Sequence, residues 1–206
     1  MPSQKGIFIT IDGPNGVGKS SLVNGLILEL KKLGLDVSET KEPTNSPLGQ
    51  WVRQTESIYS GHVYACLVAA DRYFHIENEI KPLLDDGKIV ISARYVESSL
   101  VLQSLDNVEF DFIWALNSKI YRPDISIILT ASAEILSSRL SERSYFSRFE
   151  KSKTRQAELD GYIHAANFLK QQGFNILFLD NGVVPLEQNI VQVSEQIKTL
   201  LNKTME

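Results

Sequence analysis

Cysteine and long apolar runs are both scarce in this sequence, and each shortage excludes a class of protein. The 206 residues include one cysteine, Cys66, so no disulfide can form within the chain and a reducing compartment is expected. No uninterrupted apolar segment approaches the roughly 20 residues that a membrane span requires. The opening residues, MPSQKG, lead straight into an apolar strand pattern and carry no signal-peptide core. The sequence therefore predicts a cytoplasmic protein without a membrane span.

Positive charge is also in short supply. Lysine and arginine number 21 against 25 aspartate and glutamate residues, for a formal net charge of −4. This balance argues against a surface for nucleic-acid polymers. The length suits one domain with a substantial core, and we expect that domain to span residues 1–206. Cys66 lies within an apolar helical pattern, which favours a small core residue over a nucleophile.

The most informative stretch is a glycine-rich turn between an apolar run and an amphipathic segment. The run 7–11 is typical of a buried parallel strand, and apolar residues between Leu22 and Leu33 recur at helical spacing. Between them, residues 13–20 match the pattern G-x-x-x-x-G-K-[S/T]. Its glycines allow backbone N–H groups to surround a phosphate at the N-terminus of a helix. Strand, loop and helix therefore predict a nucleoside triphosphate site.

The predicted phosphate loop supplies both ATP contacts and a metal ligand. Lys19 would reach the β- and γ-phosphates of ATP, and the Ser20 hydroxyl would bind Mg²⁺. The residues expected to bind ATP are Gly13, Pro14, Asn15, Gly16, Val17, Gly18, Lys19, Ser20 and Ser21.

Strand and helix patterns alternate along the rest of the chain. Further strands are predicted at 35–40, 89–92, 125–130 and 176–179, with helical patterns between them, including a long one over 61–84. This alternation predicts an α/β three-layer sandwich, a five-stranded parallel sheet with helices on both faces. Ligands bind at the carboxyl edge of such sheets, where Glu42 and Arg94 would lie. Clustered arginines predict a short lid at about 141–152 that closes over the polyphosphate.

Several segments occur in the order and spacing found in the thymidylate kinases. They are Ile11–Ser20, Lys41–Pro43 with Leu48, Gly49 and Arg53, Ala69–Arg72, Arg94–Tyr95 with Ser98, Ser99 and Gln103, Arg122–Asp124, and Arg143 with Ser147–Glu150. The chain resembles this family of P-loop nucleoside monophosphate kinases nearly from end to end. The resemblance implies ATP- and Mg²⁺-dependent phosphorylation of a nucleoside monophosphate, with dTMP the first expectation, by a homodimeric enzyme.

The resemblance also implies roles for individual residues. Arg143 and Arg148 would close on ATP from the lid, and Arg53 and Arg94 would hold the 5′-phosphate of the acceptor. Arg72 would hydrogen-bond the edge of a pyrimidine base. The implied catalytic residues are Lys19, Arg94, Arg143 and Arg148. The implied acceptor-binding residues are Glu42, Pro43, Arg53, Val68, Arg72, Arg94, Tyr95, Ser98, Ser99 and Gln103.

Four positions depart from the family pattern. The family usually has a carboxylate before Arg94, where this chain has Ala93. Many relatives carry Asp or Glu in place of Asn15, an aromatic in place of Val68, and an acidic residue in place of Thr130. These departures leave open an acceptor other than dTMP, a slow enzyme, or a substitution introduced to trap a complex.

Two other functions stay open. A related P-loop kinase of a nucleoside or another small molecule would use Glu42 as a base toward a hydroxyl, although Arg53 and Arg94 favour a phosphorylated acceptor. A nucleotide-binding regulator without transferase activity is favoured by Ala93 and disfavoured by the lid arginines. For the homodimer, the apolar faces over 64–74 and 110–116 are the two candidates.

Overall fold

The computed structural model describes residues 5–141 and 154–204, and its centre is a five-stranded parallel sheet. The strands are β1 (Ile7–Asp12), β2 (Val37–Lys41), β3 (Ile89–Ala93), β4 (Ile125–Thr130) and β5 (Ile176–Asp180), in the order β2-β3-β1-β4-β5. From β1 the chain crosses toward β2, and from β3 it crosses the other way toward β4. The topological switch point therefore lies at the carboxyl ends of β1 and β3, where such sheets bind ligands.

Helices cover both faces of this sheet, as predicted. They are α1 (Lys19–Lys32), α2 (Pro47–Gln54), α3 (Gly61–His75), α4 (Lys81–Asp85), α5 (Val96–Leu105), α6 (Phe110–Asn117), α7 (Ala133–Ser141), α8 (Arg155–Gln171) and α9 (Leu186–Thr204). The long helical pattern predicted over 61–84 is helical throughout, and within it a π-helix at Ile76–Ile80 lies between α3 and α4. Pro82 lacks an N–H for an i−4 hydrogen bond, and the wider π turn accommodates that loss.

The alternation of side chains along β1 divides the core into two clusters. Ile7, Ile9 and Ile11 pack on one face with residues from α1 and α9. Phe8 packs on the opposite face with residues from α3, α5 and α8. Because successive strand residues point to opposite faces, Thr10 and Asp12 lie on the same side as Phe8. This alternation places the two polar side chains of β1 beneath α5.

Cys66 lies on the surface of α3 rather than in the core. The expectation of a small core residue was wrong because α3 turns its Tyr64, Ala65 and Ala69 side inward and leaves position 66 exposed. Within the described ranges, none of the helices combines the length and apolar character that crossing a bilayer requires.

Candidate active site

The glycine-rich turn between β1 and α1 has a backbone that only glycine adopts without strain. Gly13 has a φ of 141° and Gly18 a φ of 98°. A Cβ atom at Gly13 would lie 2.5 Å from the carbonyl oxygen of Leu129, and one at Gly18 would lie 2.6 Å from Asn181 Nδ2. Lys19 Nζ crosses the turn and donates to the carbonyl oxygens of Gly13 (2.6 Å) and Pro14 (2.9 Å). The backbone of the predicted phosphate loop is therefore restricted to glycine at two positions, and the Lys19 side chain is held across the turn by two carbonyl oxygens.

Side chains distant in sequence hold the back of this loop. The side chain of Val17 is buried in the core, and its carbonyl oxygen accepts hydrogen bonds from Asn181 (2.7 Å) and Arg139 (3.3 Å). The backbone N–H of Asn15 donates to Glu158 (2.9 Å), which also pairs with Arg155 (3.1 Å). Val17 therefore contributes backbone rather than side-chain chemistry. In the sequence, two features pointed to these contacts. Asn181 directly follows the predicted fifth strand, and Arg139 opens the arginine-rich stretch.

Asp12 connects the phosphate loop to the segment that follows β3. Its fully buried carboxylate accepts hydrogen bonds from the backbone N–H groups of Gly13, Tyr95 and Ser98 and from the hydroxyls of Ser98 and Tyr162. Asp12 belongs to the segment Ile11–Ser20 matched in the sequence, but the motif assigns it no role. A charged residue at the end of a buried strand was the available signal.

Arg94 has a left-handed backbone, with a φ of 75°. That conformation costs a non-glycine residue on the order of 1 kcal/mol and is typically held by its surroundings. Here the N–H of Arg94 donates to Ile11 (3.0 Å), and the Arg94 carbonyl accepts from the Ser92 hydroxyl (2.8 Å). The guanidinium donates to Asn15 Oδ1 (2.6 Å) and Ser98 Oγ (3.2 Å). The strained backbone thus points the Arg94 side chain toward the phosphate loop.

A cavity adjoins Arg94, and every residue predicted to bind the acceptor lines it. It is lined by Asn15, Glu42, Pro43, Arg53, Glu56, Tyr64, Val68, Arg72, Arg94, Tyr95, Ser98, Ser99, Leu102 and Gln103. Tyr64, Val68 and Leu102 belong to one apolar cluster and form an apolar wall. The Oε1 atom of Gln103 is buried and has no hydrogen-bond partner among the described residues, so it is suited to an N–H donor from a ligand.

Arg72 forms part of the cavity floor and is almost fully buried. Its guanidinium donates to Glu42 Oε2 (2.8 Å), Asn117 Oδ1 (2.5 Å), Ser99 Oγ (2.9 Å) and the carbonyl of Tyr95 (2.9 Å). The guanidinium also stacks over the Tyr95 ring, 5.4 Å from its centroid. The predicted base-reading arginine is therefore fixed in position by the protein itself.

Glu42 is held from both sides. Its Oε2 pairs with Arg72, and its Oε1 lies 3.1 Å from Nδ1 of the fully buried His75. Nε2 of His75 lies 2.6 Å from the Thr40 hydroxyl. A neutral imidazole satisfies both contacts if Thr40 donates to Nε2 and Nδ1–H donates to Glu42. Both carboxylate oxygens of Glu42 are thus engaged within the protein, and sequence reasoning missed His75 and Asn117, which complete this network.

The remaining predicted acceptor residues have protein contacts of their own. Arg53 lies on α2, which begins with Ser46 capping the N–H of Gly49 and Pro47 at its first turn. The Arg53 guanidinium donates to the carbonyl of Pro43. Ser98 bonds to Asp12 and Ser99 accepts from Arg72, so both hydroxyls support the pocket from behind.

Three adjoining cavities form one cleft along the carboxyl edge of the sheet. A cavity beside the phosphate loop is lined by Gly16, Gly18, Ser21, Arg139, Asn181, Gly182, Val183, Val184, Pro185 and Leu186. A central cavity is lined by Asn15, Gly16, Gly18, Lys19, Ser20, Ser21, Lys41, Glu42, Ala93 and Arg94, and it shares residues with both neighbours. Its charged residues are three cations and Glu42, which is already paired. The centre of the cleft is therefore suited to phosphate.

A metal ion in this cleft would take most of its ligands from bound phosphate rather than from protein carboxylates. Among residues 5–141 and 154–204, no group of three or more His, Cys, Asp or Glu side chains is placed to hold a metal ion. Ser20, exposed at the first turn of α1, lies in the central cavity, where its hydroxyl and phosphate oxygens together are suitable Mg²⁺ ligands. The predicted lid residues Arg143 and Arg148 lie outside the described residues.

Comparison with known proteins points to one family. The sequence profile of the family described as Thymidylate kinase matches residues 11–177. The chain is 32% identical to the probable thymidylate kinase of Thermococcus gammatolerans over 203 residues, which cover 93% of this chain and 97% of that protein. It is 38% identical to the probable thymidylate kinase of Caldivirga maquilingensis over 151 residues (70% and 73%). It is 39% identical to the thymidylate kinase of Leuconostoc mesenteroides over 148 residues (67% and 70%).

Proposed function

Because the chain belongs to the thymidylate kinase family, we propose that it transfers the γ-phosphoryl group of ATP to dTMP, forming ADP and dTDP. The observation that carries the proposal is the continuous cleft, which has the phosphate loop on one side and the pocket lined by Arg53, Arg72 and Arg94 on the other. Arg94 lies where the two meet, since it lines both the central cavity and the acceptor pocket. This arrangement supports transfer between two bound nucleotides rather than hydrolysis of one.

Phosphoryl transfer between two anions depends mainly on positioning and on neutralising charge. Lys19 would exchange its contacts with the loop carbonyls for oxygens of the β- and γ-phosphates. Arg94 would contact the acceptor phosphate and the transferred group at once. Ser20 would hold Mg²⁺, which supplies charge neutralisation when it is bound with ATP. Arg143 and Arg148, in the proposed lid at 141–152 of the single domain, would add positive charge from above the polyphosphate.

The acceptor pocket supports a pyrimidine monophosphate. Arg53 and Arg94 both line the pocket and would provide two cations for a 5′-phosphate. The buried Oε1 of Gln103, which has no hydrogen-bond partner within residues 5–141 and 154–204, suits the N3–H of thymine. Val68 and Leu102 offer apolar surface for the face and methyl group of the base. Together these features favour dTMP over a purine nucleotide.

A nucleoside acceptor is less well supported. That reaction needs a base near the attacking hydroxyl, and Glu42 is the carboxylate for which the sequence left this role open. Both of its oxygens are occupied, by Arg72 and by His75. A nucleoside would also leave Arg53 and Arg94 without a phosphate to bind. The thymidine arm of the experiment below tests this alternative.

We also propose a homodimer and a cytoplasmic location. The exposed side of α3 presents Val63, Cys66, Ala70 and Phe74 at helical spacing, a stripe that a second copy of the chain would cover. The single cysteine supports a reducing compartment.

A coupled ADP-release assay tests the reaction. The acceptors are dTMP, dUMP, dCMP, dGMP, dAMP and thymidine, each with ATP and Mg²⁺, and Lys19→Ala is the control. We expect dTMP to give the highest kcat/KM and Lys19→Ala to lose at least about a hundredfold, because the lysine neutralises charge in the transition state. If no acceptor raised ADP release above that of Lys19→Ala, the kinase assignment would fail and the binding-protein alternative would gain support.

A further inference from the structure

One buried carboxyl group on α5, that of Glu97, lines none of the three cavities of the cleft. Glu97 lies in the first turn of α5, and its side chain is fully buried. Its Oε1 accepts a hydrogen bond from the Thr10 hydroxyl at 3.2 Å. Its Oε2 has no hydrogen-bond partner within the part of the chain that the structure describes. An ionised carboxylate with an unpaired buried oxygen would be costly, so these surroundings favour the neutral acid.

Glu97 lies close to the carboxylate that joins the two sides of the cleft. Asp12 follows Thr10 by two residues on the same face of β1, and its donors include the backbone N–H groups of Tyr95 and Ser98, which flank Glu97 in sequence. The two carboxyl groups are therefore unequally solvated, since Asp12 accepts five hydrogen bonds while Glu97 keeps one oxygen without a partner among the described residues. Burial, and then the negative charge of Asp12, raise the pKa of Glu97 from 4.5 to about 7. Hydrogen bonds from the Ser126 hydroxyl and from the backbone of Glu97 lower the pKa of Glu97, but by less than burial raises it.

The other charged and titratable groups around Glu97 do not offset this effect. Arg72, on α3, favours the ionised form of Glu97, but its guanidinium is already paired with Glu42. Tyr95, at the start of α5, is a buried phenol whose own pKa burial raises well above its usual value. From α8, Tyr162 donates to Asp12 and Glu158 accepts from the loop N–H of Asn15.

We propose that Glu97 is a positioning residue for phosphoryl transfer, acting in its neutral form through Asp12. With Glu97 neutral, Asp12 holds Gly13 at the start of the phosphate loop and Tyr95 and Ser98 on the acceptor side in one network. Ionised Glu97 adds a second negative charge to the same buried region. Its repulsion of Asp12 then loosens the hydrogen bonds that align donor and acceptor. The inference rests on the proposed function, because the aligned reaction is transfer from ATP to dTMP.

The first test compares pH–rate profiles of the wild type, Glu97→Gln and Glu195→Gln, an exposed carboxylate on α9 that serves as the control. Wild-type kcat is expected to fall as the pH rises through about 7. Glu97→Gln keeps a neutral side chain of similar shape, so it is expected to stay within threefold of wild type at about pH 6 and to be about tenfold faster at pH 8.5. Glu195→Gln should follow the wild type. A Glu97→Gln profile parallel to the wild-type profile overturns the proposal.

The second test follows thermal unfolding without nucleotides between pH 5 and 8.5. The folded chain keeps the Glu97 proton to a higher pH than the unfolded chain does, because the pKa of this carboxyl group is near 4.5 when the chain is unfolded. The stability that this proton contributes is complete below about pH 4.5 and is lost as the pH rises through about 7. The Tm of Glu97→Gln, relative to wild type, should therefore increase with pH, and a constant difference overturns the proposal.

These measurements separate failure of this inference from failure of the proposed function. If the wild type releases no ADP with any nucleotide, the proposed reaction is wrong, and the Tm series still decides whether Glu97 is a buried neutral acid. If Glu97→Gln does not fold, Glu97→Met provides an uncharged side chain of similar length, and the same pH dependence is expected of it.

Discussion

Asp12 is the residue on which the geometry of both sides of the cleft depends. A buried carboxylate is stable only when hydrogen bonds replace the water that it has lost. Asp12 obtains them from Gly13 on the donor side and from Tyr95 and Ser98 on the acceptor side. A single side chain thus fixes the distance between two loops that are more than eighty residues apart in sequence.

Replacing Asp12 by Asn should destabilise the protein strongly. Asn retains one carbonyl oxygen, and its amide group would face backbone N–H donors that need an acceptor. Leaving donors of this kind buried and unpaired costs about 1 to 3 kcal/mol each, so we expect the free energy of unfolding to fall by about 2 to 5 kcal/mol. Urea denaturation at pH 7 measures this change.

Asp124 provides a matched control for that substitution. It accepts from the backbone N–H of Phe8, at the opposite end of β1, but its side chain is exposed. Asp124→Asn should therefore cost less than Asp12→Asn, because Asp124 accepts from one backbone N–H among the described residues, whereas Asp12 accepts five hydrogen bonds. Equal losses for the two variants would contradict the role given to Asp12.

At the scale of elements, α3 is the support of the acceptor pocket. Asp71 accepts hydrogen bonds from the backbone N–H and hydroxyl of Thr44, and Arg72 and His75 hold Glu42. Residues three or four apart lie on one face of a helix. One face of α3 therefore holds the residues that follow β2, from Glu42 to Thr44, by hydrogen bonds. The π-helix begins directly after His75. The acceptor pocket therefore depends on α3, which is separate in sequence from the phosphate loop at residues 13–20.

His75→Ala should weaken acceptor binding more than ATP binding. Removal of the imidazole leaves Glu42 held by Arg72 alone and opens a space behind Thr40. Glu42 can then shift, and it is one of the four groups that orient Arg72 at the pocket floor. We expect KM for dTMP to rise about tenfold and KM for ATP to change less than threefold. Steady-state kinetics with each substrate varied in turn measures both constants.

His62 is the control for this prediction. It lies at the other end of α3, where it is exposed and pairs with Glu109. His62→Ala should leave both KM values near those of the wild type. A rise in KM for ATP equal to that for dTMP in His75→Ala would show that the histidine supports the whole fold rather than the acceptor pocket.

At the scale of the whole molecule, local patterns were predicted and long-range contacts were not. The sheet and the phosphate loop follow from periodicity and from a motif in one short stretch, whereas the residues lining the acceptor pocket were implied by the resemblance to the thymidylate kinases. Asn117, which orients Arg72, and Glu158, which holds the backbone of Asn15, lie 45 and 143 residues from their partners. No periodicity links such pairs, because they meet only after the helices have packed.

The same limit applies to surfaces. Cys66 was expected in the core because its neighbours are apolar, yet the direction in which α3 packs leaves it exposed. Amphipathic spacing identifies two sides of this helix, but it does not say which side meets the sheet when both carry apolar residues. The exposed side of α3, with Val63 56% and Phe74 41% accessible, is consequently a property that only the folded chain defines.

The exposed stripe on α3 is expected to join two copies of the chain in a dimer. If two copies pair through α3, Phe74→Glu would bury a charge at the interface and should convert a dimer into a monomer in sedimentation-velocity experiments. Leu28→Glu, on the exposed side of α1, should leave the sedimentation coefficient unchanged.

Because Cys66 is the only cysteine and lies within the stripe, a short bismaleimide should cross-link the wild type into covalent dimers and Phe74→Glu much less. If the wild type sediments as a monomer at micromolar concentration, the chain does not pair through α3 and the predicted interface is wrong.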